Sequence, residues 1–211
     1  MLAGTSGFTN EVNDAMRRKV AELLHTALSA TSPEREKAEL QLGILIKRKQ
    51  IRPGRQLDYL LEPQYVRLSL TNEDLTHIFT TMKRVLRSAA GHPSTPVATA
   101  IGVLGQSGRG SSLKAILGFL ETQPKRSREI CFDQLISAMN NFLFHASEPG
   151  IARLLRSDKT HEVLKQVLEF CPKAKKDRLQ RVLYDLARAT GRSLRAATNK
   201  TERHTRVPRE R

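Results

Sequence analysis

The residues of this chain best suited to chemistry are lysines and arginines near its C-terminal end. Residues 171–211 hold 13 Lys or Arg against 4 Asp or Glu, in a chain whose formal net charge is +15. Positions 181, 188, 192 and 195 recur at intervals of seven, four and three, so they share one face of a helix that extends that far. Such a row can follow a phosphate backbone. The candidate anion-contact residues are Lys173, Lys175, Lys176, Arg178, Arg181, Arg188, Arg192 and Arg195.

The way in which this basic region would recognise a partner is also predicted. We identify no aromatic side chains between these cations that would stack on bases. We therefore expect nucleic acid to be held by backbone charge rather than by base readout. RNA, DNA, anionic lipid or an acidic protein would all be attracted by a field of this sign. In the alternative interpretation, the charge only aids solubility, the basic tail is disordered, and no partner is required.

One glycine-rich segment has the outline of a phosphate loop. It is GQSGRGS at residues 105–111. It lacks the lysine that reaches the phosphates of a nucleotide, and it follows a helical pattern rather than a strand. We expect a turn between two helices, on which Arg109 could still contact a phosphate backbone.

No residues are assigned to catalysis, to a metal or to a cofactor. The six histidines are scattered without a ligand pair at helical spacing, and no serine lies in a nucleophile elbow. Glu129 and Asp133 lie one helical turn apart, but basic residues precede them. We expect surface ion pairs there rather than paired catalytic carboxylates. These basic residues are Lys125, Arg126 and Arg128.

The elements that position these residues are predicted to be helices. Aromatic residues are only 5% of the chain and Trp is absent, so aliphatic side chains must fill the core. Residues 65–70 alternate like a strand, but no second strand is convincing, and we expect an extended linker. Pro63 is expected to end one or two helical turns at 56–62. The longer predicted helices cover roughly 10–30, 32–50, 72–90, 95–104, 112–122, 130–144, 151–156, 159–170 and 173–190.

Local signals mark several helix ends. Thr31 with Glu34, and Thr71 with Asp74, are capping-box pairs, and Leu70 can staple onto Leu75. Ser111 or Ser112 is expected to cap the helix after the glycine-rich turn, and Asp158 the helix at 159–170. Gly105, Gly108 and Gly110 are expected to end the helix before that turn.

The stretch at residues 95–144 carries a family resemblance. Ala98, Ala100, Gly102 and Gly105 are followed by a tight turn and an aliphatic helix, and this pattern resembles a HEAT-type repeat. The resemblance implies an α-solenoid, a right-handed stack of helical hairpins that presents a binding surface, and it brings no catalytic residues. No fixed period extends across the rest of the chain, so an irregular helical bundle remains an alternative.

The expected organisation is a frayed N-terminus at 1–9, a single helical domain at 10–191 and a disordered basic tail at 192–211. Cys131 and Cys171 lack metal-ligand spacing and are expected to be buried free thiols in a reducing, intracellular compartment, cytoplasmic or nuclear. We find no secretory signal and no apolar run long enough for a membrane span. The arginine-rich end resembles C-terminal secretion signals of type IV effectors, which leaves that route open.

Three functions are compatible with the sequence. The first is a non-enzymatic helical-repeat binding module, without a cofactor, whose basic C-terminal region engages an anionic partner, foremost a nucleic-acid backbone. The second is an interaction module, of inhibitor, immunity or adaptor type, against an acidic protein. The third is an enzyme similar to HEAT-like alkylpurine DNA glycosylases. That enzyme would need an aromatic-lined cleft with a lone carboxylate, and the absence of Trp weighs against it.

Overall fold

A computed structural model of the protein describes residues 6–29, 33–50, 55–88, 95–122 and 132–189. Within these residues the fold is all-helical and contains no strand, which confirms the predicted all-α class. The elements are α1 (Ser6–Ser29), α2 (Glu34–Gln50), a 3-10 helix (Arg55–Leu60), α3 (Pro63–Val66), α4 (Asn72–Ser88), α5 (Thr95–Gln106), α6 (Gly110–Thr122), α7 (Phe132–Phe144), α8 (Pro149–Leu155), α9 (Asp158–Glu169) and α10 (Lys173–Ala189). None of the described helices is both long and apolar enough to cross a bilayer.

Helix α5 lies at the centre of the fold. It carries no charged residue, and its side chains from Val97 to Leu104 are buried. A helix that is apolar on all sides must be covered on all sides, and α5 contacts α1, α2, α4, α6 and α7. Gly105 lies at its closest approach to α7, where an added Cβ would come within 2.4 Å of the Ala138 Cβ. Helix α5 ends at Gln106, so Gly105 lies in its last turn, and Gly108 lies in the turn that follows, close to where these glycines were predicted to end the helix.

The capping box of α4 is confirmed in both directions. The Asp74 backbone N–H donates to the Thr71 hydroxyl at 3.1 Å, and the Thr71 backbone N–H donates to the Asp74 carboxylate at 2.8 Å. Two of the N–H groups that a helix start leaves unpaired are thus satisfied. Leu70 and Leu75 are both buried, as a hydrophobic staple requires.

The segment between α2 and α4 differs from the prediction. The 3-10 helix at Arg55–Leu60 forms the helical turns predicted there and ends before Pro63. Pro63 itself begins α3, because proline at the first helical position loses no hydrogen bond. The extended linker predicted at 65–70 is wrong for its first three residues, since Tyr65 and Val66 end α3 and Arg67 also has helical backbone angles.

The Arg48 guanidinium donates to the carbonyls of Val66 and Leu68, both at 2.7 Å, and to the Asp58 carboxylate at 3.1 Å. A side chain of α2 therefore supplies hydrogen bonds that a partner strand would have supplied.

Three other helix starts also differ from the prediction. Helix α1 begins at Ser6, so residues 6–9, expected to fray, form its first turn. Helix α6 begins at Gly110, ahead of the serines expected to cap it. Asp158 is the first residue of α9, and Ser157 occupies the N-cap position without a side-chain hydrogen bond.

Several predictions concern residues outside the described part of the chain. They include the capping residue Thr31, the thiol of Cys131, the carboxylate of Glu129 and the basic tail at 192–211. The stacking of hairpins into a right-handed solenoid stays a prediction as well.

Candidate nucleic-acid interface

Helix α10 carries the described part of the candidate interface and has one buried face. Leu179, Val182 and Leu186 are buried, and the helix packs on α7 and α9. These three positions are three and four residues apart, so they form a single apolar stripe. The stripe fixes which residues of α10 face away from the protein.

The opposite face of α10 is rich in exposed cations. Lys173, Asp177, Arg181, Tyr184 and Arg188 follow one another at intervals of four, four, three and four, and all five are exposed. Lys176, also exposed, lies toward one side of this face. Within the described residues, none of these four lysines and arginines has a carboxylate within 4 Å. We call Lys173, Lys176, Arg181, Tyr184 and Arg188 the α10 surface.

Two of the predicted contact residues are engaged elsewhere. The Lys175 ammonium pairs with the Asp133 carboxylate, and the Arg178 guanidinium pairs with its other oxygen at 3.2 Å. Asp133 lies in the first turn of α7. Lys175 and Arg178 are three residues apart, which brings both to the edge of α10 that faces α7. They join the two helices, so the Asp133 carboxylate partly offsets their charges, and their predicted contact with an anion stays a prediction.

Asp133 confirms the surface ion pairing predicted for it, but with other partners. The residues expected to pair with it, at positions 125–128, lie outside the described part of the chain. The partners that the structure provides come from α10, more than 40 residues along the chain. Exposed pairs of this kind contribute about 0–1 kcal/mol each. Their main effect is to fix the position of α10 on α7.

Tyr184 is a candidate contact residue that the sequence interpretation missed. Its side chain is 49% exposed and lies three residues after Arg181 and four before Arg188. The expectation that no aromatic side chain interleaves with the basic row is therefore wrong. The signal was present in the sequence, because intervals of three and four place Tyr184 on the same helical face as both arginines.

The glycine-rich turn connects two helices, as predicted. It lies between α5 and α6, and Gly108 adopts a positive φ of 56° there. Glycine alone takes this conformation without steric cost. The Arg109 guanidinium carbon lies 5.1 Å from the centre of the Phe79 ring. Since a helix and not a strand precedes the turn, it is not a phosphate loop of the nucleotide-binding type.

A cleft of about 350 Å³ lies between α2, α5 and α7. The Glu39 carboxylate faces Gly102 there and accepts a hydrogen bond from the Thr99 hydroxyl at 3.1 Å. Burial raises the pKa of Glu39 above its ordinary value, and the Thr99 bond and Arg35 oppose that rise. Aromatic side chains are absent from the lining, which consists of Glu36, Glu39, Leu40, Gly102, Val103, Gln106 and Gln134.

The remaining candidate groups offer little chemistry. The described residues contain no group of three or more His, Cys, Asp or Glu side chains that could hold a metal ion. Cys171 is a buried free thiol, as predicted, and burial raises its pKa, a shift that the charges of Lys175 and Lys176 partly oppose. A protonated, buried thiol is a weak nucleophile.

Comparison with protein-family models, with curated proteins and with solved structures finds no match for this chain. The HEAT-type resemblance therefore stays a prediction made from the residues of α5 and α6.

Proposed function

We propose that the protein is a non-enzymatic binding module that holds a nucleic-acid strand on the α10 surface. The observation that carries the proposal is the set of exposed cations on one face of α10, which have no ion pair among the described residues and share that face with Tyr184 and a single carboxylate, Asp177. Each free ammonium or guanidinium group can displace a condensed counterion from a phosphate, and this release drives backbone binding.

Tyr184 favours a single strand over a duplex. The bases of a single strand are free to stack, and stacking on an exposed aromatic ring contributes roughly 1–3 kcal/mol per base. A duplex offers its phosphates but hides the faces of its bases. Arg181 and Arg188 lie on either side of the ring along the helix, where they can contact the phosphates that flank a stacked base.

Arg192 and Arg195 lie outside the described residues, so their part in the proposed interface rests on the sequence alone. If α10 extends into residues 192–211, they continue the same face. A glycosylase would need a cleft with a carboxylate and an aromatic lining. The α2–α5–α7 cleft contains the Glu39 carboxylate, but no aromatic side chain lines it. An acidic protein stays the competing partner, and the experiment separates it from nucleic acid.

The test compares two quadruple variants of the full chain. In the first, Lys173, Lys176, Arg181 and Arg188 are changed to Gln. The second is a matched control in which two lysines and two arginines on other elements, exposed and without ion pairs among the described residues, are changed to Gln. These control positions are Arg67, Arg84, Lys114 and Lys165.

Fluorescence anisotropy measures the affinity for labelled single and double strands between about 50 and 200 mM salt. The α10 variant should bind far more weakly, and its salt dependence should become shallower by about 0.7 for each phosphate that it no longer neutralises. Tyr184→Ala should weaken single-strand binding alone. Equal binding by the α10 variant and the control would overturn the proposal.

Two further measurements complete the test. Deletion of residues 192–211 should weaken binding to all sequences alike if Arg192 and Arg195 contribute. A pull-down with and without nuclease identifies the class of partner. A protein partner that survives nuclease treatment and is absent with the α10 variant would support the acidic-protein alternative and contradict nucleic-acid binding.

A further inference from the structure

Three cations lie along α4 and the turn that joins α5 to α6, with Lys83 close enough to the other two to feel their charges. Lys83 and Arg87 lie one turn apart on α4, and Arg109 immediately precedes α6. The Lys83 ammonium donates a hydrogen bond to the Ser111 hydroxyl at 3.1 Å. The position of Arg109 is fixed by its contact with the ring of Phe79, which lies one turn before Lys83 on α4.

This cluster has no compensating negative charge among the described residues, since no carboxylate lies within 4 Å of any of the three cations. Burial, and then the charges of Arg109 and Arg87, lower the pKa of Lys83. Like charges in a partly desolvated position repel one another. An anion between them would remove that repulsion and would bind more tightly for the same reason.

The start of α6 adds neutral donors to the cluster. The backbone N–H groups of Gly110 and Ser111 have no hydrogen-bond partner in the described structure, and α6 is a helix of 13 residues. The N-terminal end of such a helix carries a partial positive charge.

The cluster also explains the phosphate-loop outline of the sequence. Within residues 105–111 that outline lacks a lysine, and here Lys83 brings an ammonium group to the turn from a neighbouring helix. The arrangement combines cations, a hydroxyl and free backbone N–H groups, which are the donors that phosphate groups bind in proteins.

We propose that Lys83, Arg87, Arg109, Ser111 and the start of α6 form a binding site for a phosphate monoester, which we call the α4–α6 site. A monoester carries about −1.5 to −2 charges at neutral pH and three acceptor oxygens. It therefore matches three cations better than a singly charged phosphodiester does. The monoester is the phosphate of a small molecule or the terminal phosphate of a nucleic acid. The site goes beyond the function proposed for α10 and uses different residues.

Binding is tested by following the amide resonances of Gly110 and Ser111 in the full chain while inorganic phosphate is added. Saturable shifts of these amides are expected. Lys83→Gln and Arg109→Gln should each raise the dissociation constant by at least about tenfold, the effect expected when a charge-assisted hydrogen bond is removed. Ser111→Ala should raise it without changing the charge.

Arg84→Gln is the matched control. Arg84 is the neighbour of Lys83 on α4, is exposed and has no ion pair among the described residues, so this variant should bind phosphate as the natural chain does. Thermal melts confirm that each variant is folded. The variant that lacks the four cations of α10 should also keep its phosphate binding, which separates this site from the α10 surface.

Two further probes identify the source of the phosphate. A nucleoside 5′-monophosphate is compared with its nucleoside, and a 5′-phosphorylated oligonucleotide with its 5′-hydroxyl form. Preference for either phosphorylated probe supports the site and identifies the ligand as small or polymeric. The proposal would be overturned if no phosphate compound gave saturable shifts. It would also be overturned if the 5′-phosphorylated and 5′-hydroxyl oligonucleotides bound equally well and both lost affinity on substitution of Lys83 and Arg109.

Discussion

Gly105 of α5 and Ala138 of α7 are in contact through their backbones. A methyl group at Gly105 would lie 2.4 Å from the Ala138 Cβ and 2.7 Å from its Cα. The only side chain that fits this contact is a hydrogen atom. The approach of the central helix to α7, and through α7 to α10, depends on it.

Gly105→Ala should therefore destabilise the protein. Overpacking a closely packed contact costs roughly 1–3 kcal/mol, and this exceeds the gain in helix propensity. Gly118→Ala is the matched control, because a Cβ at Gly118 meets nothing within 4 Å. That change should stabilise the protein by roughly 0.4–1 kcal/mol. Urea unfolding measures both, and a Gly105→Ala variant at least as stable as the natural chain would contradict the packing described.

Thr71→Ala should cost about 1 kcal/mol, the usual effect of losing a side-chain cap. The change leaves the Asp74 backbone N–H without its partner and removes one donor from the Asp74 carboxylate. Thr80 lies on the exposed side of the same helix, and Thr80→Ala should be neutral or slightly stabilising. Equal midpoints for the two variants in urea would show that the capping box contributes nothing.

Glu39→Gln should change how stability depends on pH. The pKa of Glu39 is raised by burial in the folded state, so the folded protein binds this proton more tightly than the unfolded chain does. Stability therefore falls as pH rises from the unfolded pKa to the folded one, and the deficit persists above that. The Gln variant should lack this fall and be the more stable protein at neutral pH.

The control for this prediction is Glu162→Gln, at an exposed position on α9 that has no ion pair within the described part of the chain. Thermal melts between acidic and neutral pH compare the two variants with the natural chain. A Glu39→Gln variant that loses stability at neutral pH would show that the carboxylate is stabilised as an anion.

Asp133→Asn should affect stability and nucleic-acid binding in opposite directions. Removal of the two ion pairs should cost at most about 2 kcal/mol, because both are exposed. The released Lys175 and Arg178 would add two cations beside the α10 surface, so affinity at low salt should rise and its salt dependence steepen. Glu121→Gln breaks the exposed pair with Lys159 and should leave binding unchanged. Weaker binding by Asp133→Asn would mean that the orientation of α10 matters more than its charge.

Features set by neighbouring residues could be predicted from the sequence. The all-α class and the start of α4 followed from apolar spacing and from the Thr71–Asp74 pair, both of which act within a few residues. The same holds for Tyr184, whose position beside two arginines required only the helical repeat.

Features set by packing could not be predicted. Gly105 and Ala138 are in contact although they are 33 residues apart in the sequence. Likewise, the proximity of Lys83 to Ser111 depends on how α4 lies against α6. Whether Lys175 and Arg178 are free cations depends on Asp133, which is remote in sequence. Patterns within one element carry no information on which neighbour will lie beside it.

The hydrogen bonds of Arg48 have a consequence for exchange with deuterated solvent. Its guanidinium holds the carbonyls of Val66 and Leu68, and Gln41 of the same helix bonds both Leu60 and Glu62. Within the described residues, the ion pairs of Arg48 with Asp58 and of Lys37 with Glu62 also tie the short turns at 55–68 to α2. We expect the amide hydrogens of these turns to exchange together, as one unit, before those of α5, because side-chain bonds hold a short segment less firmly than burial holds the central helix. Such an opening would expose the turns at 55–68 to solvent while the helical core stays intact.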